Sequence, residues 1–401
     1  MSTEWQVRKQ QLHRFFYEEE VPFALAMMRM AFPVVMLCMV IPRWPVAREL
    51  FSADGAPSQL SVGFGHGNLF PVFSGEVVVA LMSLLVFTLV TSSIGWCTRV
   101  SLFVTWVLFT YFAWMDSVST TTKYTSIATH FFLLLAVSPC GAVWSVDAWL
   151  AHYRRNDWPG SPSIDRPRFP VWPRRLLQFF LGTVYFGAAI TKLQTPSFLT
   201  GDELQAWMMT HINYRHPIGE YLAMYPALLV VGCYAALIWE VLFIFLIWEK
   251  KLWRPIILAV GVCFHFMTTL TLGLLIFPAT CYSLYLAFVE PEDVQHAAAT
   301  FRRFCRRFTG LRHAVARAGA LLTAGNPVGW RKPAQIGFAA VAAIAVAIGM
   351  AAEYQMDPME NAAPKDAINW SPLTRNSSSR CSRRPLRYEI STSFSRLIRD
   401  R

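Results

Sequence analysis

The chain has 401 residues, 54% of them hydrophobic and only 15% charged, and its mean hydropathy is positive at +0.36. Soluble globular proteins carry about 25% charge, so a soluble domain is excluded. The net charge of +11 does not mark a nucleic-acid binder, because Arg and Lys crowd the connections between long apolar runs and no nucleic-acid-binding motif accompanies them.

Residues 1–20 contain a polar stretch, Trp5 to Glu20, that reads as a juxtamembrane amphipathic segment. It is not expected to be a cleavable signal, since the apolar run after it is too long and lacks a small-residue cleavage site. A helix crosses the hydrocarbon core with about 20 mainly apolar residues. Runs of that kind fall at roughly 22–42, 75–95, 101–115, 125–143, 174–193, 222–248, 254–273, 276–289 and 333–352. They predict an all-α fold: a polytopic transmembrane helix bundle of about eight or nine membrane segments, with the main domain over 21–290. The run at 276–289 is short and holds Pro278, so it and the run before it form either two spans or one broken, re-entrant unit. Residues 291–332 make a basic interfacial region. Within it, 291–318 places Phe301, Phe304 and Phe308 at helical spacing among Arg302, Arg303, Arg306 and Arg307, a pattern suited to a helix resting on anionic headgroups. The Ala-rich 333–352 is a candidate additional span, and 353–401 reads as a disordered basic tail.

Loop charge sets the expected orientation. Arg8, Lys9 and Arg14, then Arg154, Arg155, Arg166, Arg168, Arg174 and Arg175, then Lys250, Lys251 and Arg254, then the 291–332 cluster occupy alternate connections. With a cytoplasmic N-terminus the first eight spans obey the positive-inside rule. The expected location is a cell membrane, the bacterial inner membrane, with several passes. The ninth run fits poorly, because it would export a tail rich in Arg.

Charge inside a membrane costs about 2.5–3.5 kcal/mol for an Arg or Lys at a helix centre, so polar residues within the spans need a reason. They are Arg29, His130, Lys192, Glu240 and His265. In the fifth span Gln178, Tyr185 and Lys192 recur every seven residues, two helical turns, and form one polar stripe with Gly182, Ala188 and Ala189 close by. Such a stripe faces protein or water, although Lys192 at a helix end could also snorkel to the interface. Glu240 is expected to pair with Arg29 or Lys192, and Arg29 to tie helices together. His130 and His265, taken singly, read as packed histidines. Eight cysteines without CxxC spacing make neither a disulfide framework nor a zinc site, and no metal site is expected. No P-loop, HExxH or GxSxG occurs, and GFGHG at 63–67 lacks the strand–helix context of a nucleotide fingerprint.

Several short pieces, in order, resemble the HTTM membrane domain shared with the vitamin K-dependent γ-carboxylases. They are ALAMMRMAF around Arg29, IGWCTRVS at 94–101, WSVD at 144–147, Tyr185 with AAITKL at 188–193, FLTGDELQAW after it, and FHFMTTLTLGLLIF at 264–277. The resemblance covers about residues 20–290. It implies carboxylase-like chemistry, in which oxidation of a reduced vitamin K or other quinol drives removal of a proton from a substrate glutamate. The family's base Lys falls on Lys192 and its active-site His on His265. Gln178 and Tyr185 would support them, with Glu240, Arg29 and Lys123 as further binding or supporting residues. Lys123 stands where the carboxylases carry another important His, and only about 110 residues follow position 290, against a large propeptide-gripping region in those enzymes. A non-catalytic membrane scaffold of the same fold remains the alternative, and a transporter using Glu240, Lys192 and Arg29 is the third reading.

Overall fold

The computed structural model describes residues 3–63, 69–116, 124–155, 167–210 and 217–307. Lys123, Phe308, the remainder of the basic region, the candidate span 333–352 and the tail 353–401 lie outside the described residues.

The described chain is helical apart from one two-residue strand pair, β1 (Glu19–Glu20) against β2 (Phe169–Pro170), which joins the N-terminal segment to the connection before the fifth span. Helix α1 (Thr3–Tyr17) precedes it and α2 (Phe23–Val40) follows. Next come α3 (Ala47–Phe51), α4 (Leu60–Gly63), α5 (Gly75–Ile94), α6 (Thr98–Trp114), α7 (Tyr124–Val137) and α8 (Val146–Arg155). The second half holds α9 (Trp172–Leu193), the short α10 (Pro196–Leu199), α11 (Asp202–Met209) and α12 (Pro217–Ala223), then α13 (Pro226–Leu246), α14 (Trp253–Leu272), α15 (Ile276–Tyr285) and α16 (Pro291–Arg307).

Among the described residues five helices are long and apolar enough to cross a membrane: the one starting at Phe23, then α5, α9, α13 and α14. Three further expected spans are shorter helices, α6, α7 and α15. Local features set where several helices begin or end. α7 ends at Val137, and residues 138–145 turn so that the Cys140 and Trp144 carbonyls face Arg29. α14 stops at Gly273, whose φ of 66° caps the helix in the left-handed region that favours glycine. Three residues later α15 begins, so the pair is a tight helical hairpin. Pro226 at the first position of α13 sets that start, four residues after the expected 222.

One continuous core joins α2, α5, α6, α7, α9, α13 and α15. Phe32 of α2 anchors it, with ring centroids 4.3 Å from Phe131 and 4.8 Å from Phe132. In contrast, large side chains on the outer faces of α13 and α14, among them Val231, Ile238, Phe245 and Phe266, are more than half exposed. An apolar face open in that way is what lipid contact requires. The short helices α11 and α12 pack through Met208 and Ala223 onto Leu229 of α13.

Candidate functional site

The polar residues of the spans separate into three clusters. The first surrounds Arg29, which has no solvent exposure. Its Nε donates to the Cys140 carbonyl at 3.1 Å, Nη1 to Ser92 and Ser93 carbonyls at 3.1 and 2.5 Å, and Nη2 to the Trp144 carbonyl at 2.6 Å. Ser92 and Ser93 lie in the last turn of α5, where the helix dipole is negative and the carbonyls run short of helical partners; Ser92 also accepts from the Gly95 N–H at 3.1 Å. A guanidinium fork answers both needs at once. Gly95, at φ 73°, ends α5 beside it, and a Cβ there would collide with Arg29 and Ser145.

The WSVD segment completes this clasp. Trp144 turns at φ 52° and gives its carbonyl to Arg29, while its ring packs 4.9 Å from Phe23. Ser145 Oγ accepts from the Ala148 N–H at 2.9 Å and caps α8. Asp147 accepts from the Cys97 and Thr98 N–H groups at 2.8 and 2.7 Å and from the Thr98 hydroxyl at 2.7 Å, capping α6 from another part of the chain. Three of the pieces that carry the family resemblance therefore form one structural tie.

The second cluster is ionic and lies at one end of α9. Arg174 bonds Glu20 at 2.6 Å and Glu290 at 3.1 Å, while Arg254 at 2.6 Å and Lys250 at 3.1 Å also reach Glu290. Burial alone would raise the Glu290 carboxyl, but Arg174, Arg254 and Lys250 hold it down to about 2. Burial raises the Glu20 carboxyl above the ordinary range, against the pull of Arg174. Gln178 belongs to this end: it accepts from Arg175 Nη1 at 3.0 Å and donates to the Ala287 carbonyl at 2.7 Å.

The third cluster holds the remaining candidates. The stripe of α9 is buried at Gln178 and Tyr185 and partly exposed at Lys192. Seven residues beyond Gln178, the Tyr185 hydroxyl lies 2.7 Å from His265 Nε2 of α14 and 2.7 Å from the Tyr285 hydroxyl of α15. Seven residues further, Lys192 Nζ donates to Glu240 Oε1 of α13. The Lys192 side chain is 24% exposed and that of Glu240 3%, so the amine turns inward to a buried carboxylate. Its other neighbour is the Phe198 ring, 5.5 Å from Nζ, which α10 brings over it. Trp239 connects the two pairs: it adjoins Glu240 in sequence and its ring lies 4.7 Å from Tyr185 and 6.1 Å from His265. Lys192 and His265 share no hydrogen bond among the described residues; both are joined to the same stripe.

Two buried atoms in this cluster have no hydrogen-bond partner, Glu240 Oε2 and His265 Nδ1. Every side-chain nitrogen of Arg29, by comparison, is bonded to a carbonyl. Among the described residues Arg29 shares no partner with Lys192 or Glu240. His130 is apart from all three clusters, exposed on α7 with Nδ1 2.8 Å from the Ser126 carbonyl. Lys123 falls outside the described residues. Tyr285 and Asp147 carry contacts that the sequence pattern did not single out. Glu290 is a single acid at the end of an apolar run, with no sequence pattern that marks its cluster.

A family model of the HTTM domain matches residues 17–292. No curated protein and no solved structure matches the chain significantly. With five helices long and apolar enough to span a bilayer and a matched segment covering well over half of its length, the chain is a multi-pass integral membrane protein that belongs to the HTTM domain family.

Proposed function

We propose that the protein is a membrane-embedded enzyme with carboxylase-like chemistry on a lipid-soluble quinol, in which Lys192 accepts a proton and His265 orients the ligand. The observation that carries this reading is the Lys192–Glu240 pair joined by one helical stripe to the Tyr185–His265 pair, with one buried polar atom of each pair left unpartnered. Buried polar groups are ordinarily bonded, so two unpartnered positions favour a ligand with hydrogen-bonding oxygens. A quinol ring suits them, since its hydroxyl can donate to Glu240 Oε2 and its oxygen can accept from an imidazole N–H.

A bound quinol would supply the oxidative driving force for proton removal. The protein's part is proton management and positioning. Lys192 can act as a base only when its amine is neutral, and the contact between Nζ and Glu240 Oε1 gives its proton a place to rest. Phe198 and the short helices after α9 would limit water at that amine. Gln178, held by Arg175 and the Ala287 carbonyl, would fix the depth of α9 and so the height of the stripe. The expected setting is the bacterial inner membrane with a cytoplasmic N-terminus. There the ionic cluster around Glu290 and the basic helix α16 would meet anionic headgroups.

The test is to incubate purified protein in lipid nanodiscs with reduced naphthoquinone, oxygen, labelled CO₂ and a Glu-rich peptide. Quinol-dependent labelling that Lys192→Ala lowers at least about a hundredfold, as expected for loss of a general base, is the predicted result. No labelling beside an active carboxylase control removes the reading.

One observation favours a non-catalytic scaffold instead. A Lys closed onto a buried Glu is also what plain charge neutralisation needs. Lys192→Arg separates the two: a scaffold keeps its cellular phenotype with Arg, whereas a base is lost with a guanidinium that stays protonated.

A further inference from the structure

The helices α9 and α13 run antiparallel but do not end at the same height. They touch where Gly182 meets Ile244, a Cβ at Gly182 falling 3.0 Å from the Ile244 side chain. Ten residues further along α9, Lys192 is level with about Tyr234 of α13. From that level α13 continues for eight residues, about 12 Å, to its start at Pro226. Its 21 residues span about 31 Å, close to the thickness of the hydrocarbon core. The α9 helix therefore stops short of the headgroups, and α10, α11 and α12 occupy the remaining height, with Gly201 against Leu229 and Val230.

The inner side of this unit is fixed to protein. Met208 and Ala223 pack on Leu229, and Gln205 Nε2 donates to the Ala223 carbonyl at 2.7 Å. Gly219 brings α12 so close to the end of α14 that a Cβ there would fall 2.2 Å from the Thr271 carbonyl oxygen. With that face held, α12 turns its other face outward. Tyr221, Met224, Tyr225, Leu228 and Val231 follow one another there at three- and four-residue spacing, each more than half exposed. The stripe crosses the turn before Pro226 without a break and runs on to Ile238, on the open apolar side of α13. Apolar surface of that density marks an interaction surface. Tyrosine beside methionine and leucine suits the headgroup boundary, where ring and hydroxyl find different surroundings.

From this we infer that α11 and α12 form an interfacial element seated in the leaflet at the Lys192 end of α9. Its partner is the lipid itself: the stripe from Tyr221 to Leu228 contacts acyl chains just below the headgroups. The Lys192–Glu240 pair lies beneath this element, at hydrocarbon depth. The placement follows from burial and helix geometry and is independent of the chemistry proposed above.

The experiment is electron paramagnetic resonance of the spin-labelled full chain in nanodiscs. Labels are placed singly at Tyr221→Cys, Leu228→Cys and Leu193→Cys, in a chain whose cysteines other than the buried Cys140, Cys233 and Cys281 are alanine. Collisions with oxygen, which concentrates in lipid, are compared with collisions with a water-soluble nickel chelate. Ile238→Cys in the middle of α13 and Glu49→Cys on the exposed side of α3 give the lipid and water references. Monodisperse elution shows that a variant is folded, and Met224→Cys replaces either of the first two positions if it is not. The expected oxygen-to-nickel ratio at Tyr221 and Leu228 is severalfold that at Glu49. The ratio at Leu193, beside Lys192, is expected to be higher still, toward that at Ile238. Nickel collisions at Tyr221 and Leu228 equal to those at Glu49 would put the unit in water and overturn the inference. Shielding from both reagents, as at a contact between two copies of the chain, would overturn it as well. A Leu193 ratio no higher than that at Tyr221 would overturn the depth given to Lys192.

Discussion

The Arg29 clasp and the Lys192 cluster both place a cation among apolar helices, and they solve the problem differently. Arg29 is closed: its three nitrogens are met by four backbone carbonyls, and the surrounding turns at Gly95 and Trp144 are bent to supply them. Lys192 is met by one side chain, and that side chain keeps an oxygen unpaired. Neutral carbonyl dipoles from several chain segments suit a site that must never change. A single carboxylate can exchange a proton with its partner, which suits a site that must. Fully satisfied polar networks specify structure, and partly satisfied ones leave room for a ligand.

The comparison can be broken at the clasp first, where the largest effect is expected. Arg29→Met would strand the Ser93, Cys140 and Trp144 carbonyls, the Ser92 carbonyl keeping the Gly95 N–H, and cost about 3–5 kcal/mol. It should show as loss of the monodisperse peak in fluorescence-detected size exclusion. Arg29→Lys should rescue little, since an ammonium cannot span the same carbonyls in a plane. A stable, monodisperse Arg29→Met protein would demote the clasp to an incidental contact.

Asp147→Asn is a milder cut. It keeps the shape but removes the charge that holds the α6 N-terminus, and a cap of this kind contributes about 0.5–2 kcal/mol. A modest drop in the melting midpoint, with any activity intact, would separate the clasp from the chemistry. Loss of activity at unchanged midpoint would instead join them.

The smallest effect belongs to the ionic end. The Glu290 carboxyl is held at about 2 in the folded chain, against about 4.3 for a free glutamate. Its stabilising contribution is therefore full above about pH 4.3 and is lost as pH falls toward 2. Glu20, raised by burial, works in the opposite sense and blunts the slope. Glu290→Gln should flatten the acid limb of a plot of melting midpoint against pH; an unchanged limb would show that the cluster adds nothing.

Much of this arrangement was legible in the sequence, for physical reasons. Residues 178, 185 and 192 fall on one face because seven residues make two helical turns, and a polar face inside an apolar helix must meet protein. Glu240 and Arg29 stood out because charge in a span needs a partner. The pairing itself was open, since Arg29 and Lys192 were equal candidates for Glu240 until geometry gave Arg29 to the carbonyls. Tyr285 left no signal, because a tyrosine in a short apolar helix is ordinary amphipathic packing until its hydroxyl is seen to meet another. The task of Asp147 was hidden for a different reason: it caps a helix that starts 49 residues earlier, a distance no local pattern reports. The short helices α10 to α12 were hidden by their small size, and with them the Phe198 ring over the amine.

The account depends on the Lys192 amine being held inside the protein by Glu240. A double-mutant cycle on unfolding in detergent, with Lys192→Met, Glu240→Leu and the pair together, measures that directly. The predicted result is a coupling of about 1.5–3 kcal/mol, each single variant being destabilised and the double variant recovering much of the loss. Additive effects with a harmless Lys192→Met would mean that the amine has no partner in the bundle, and would contradict the account.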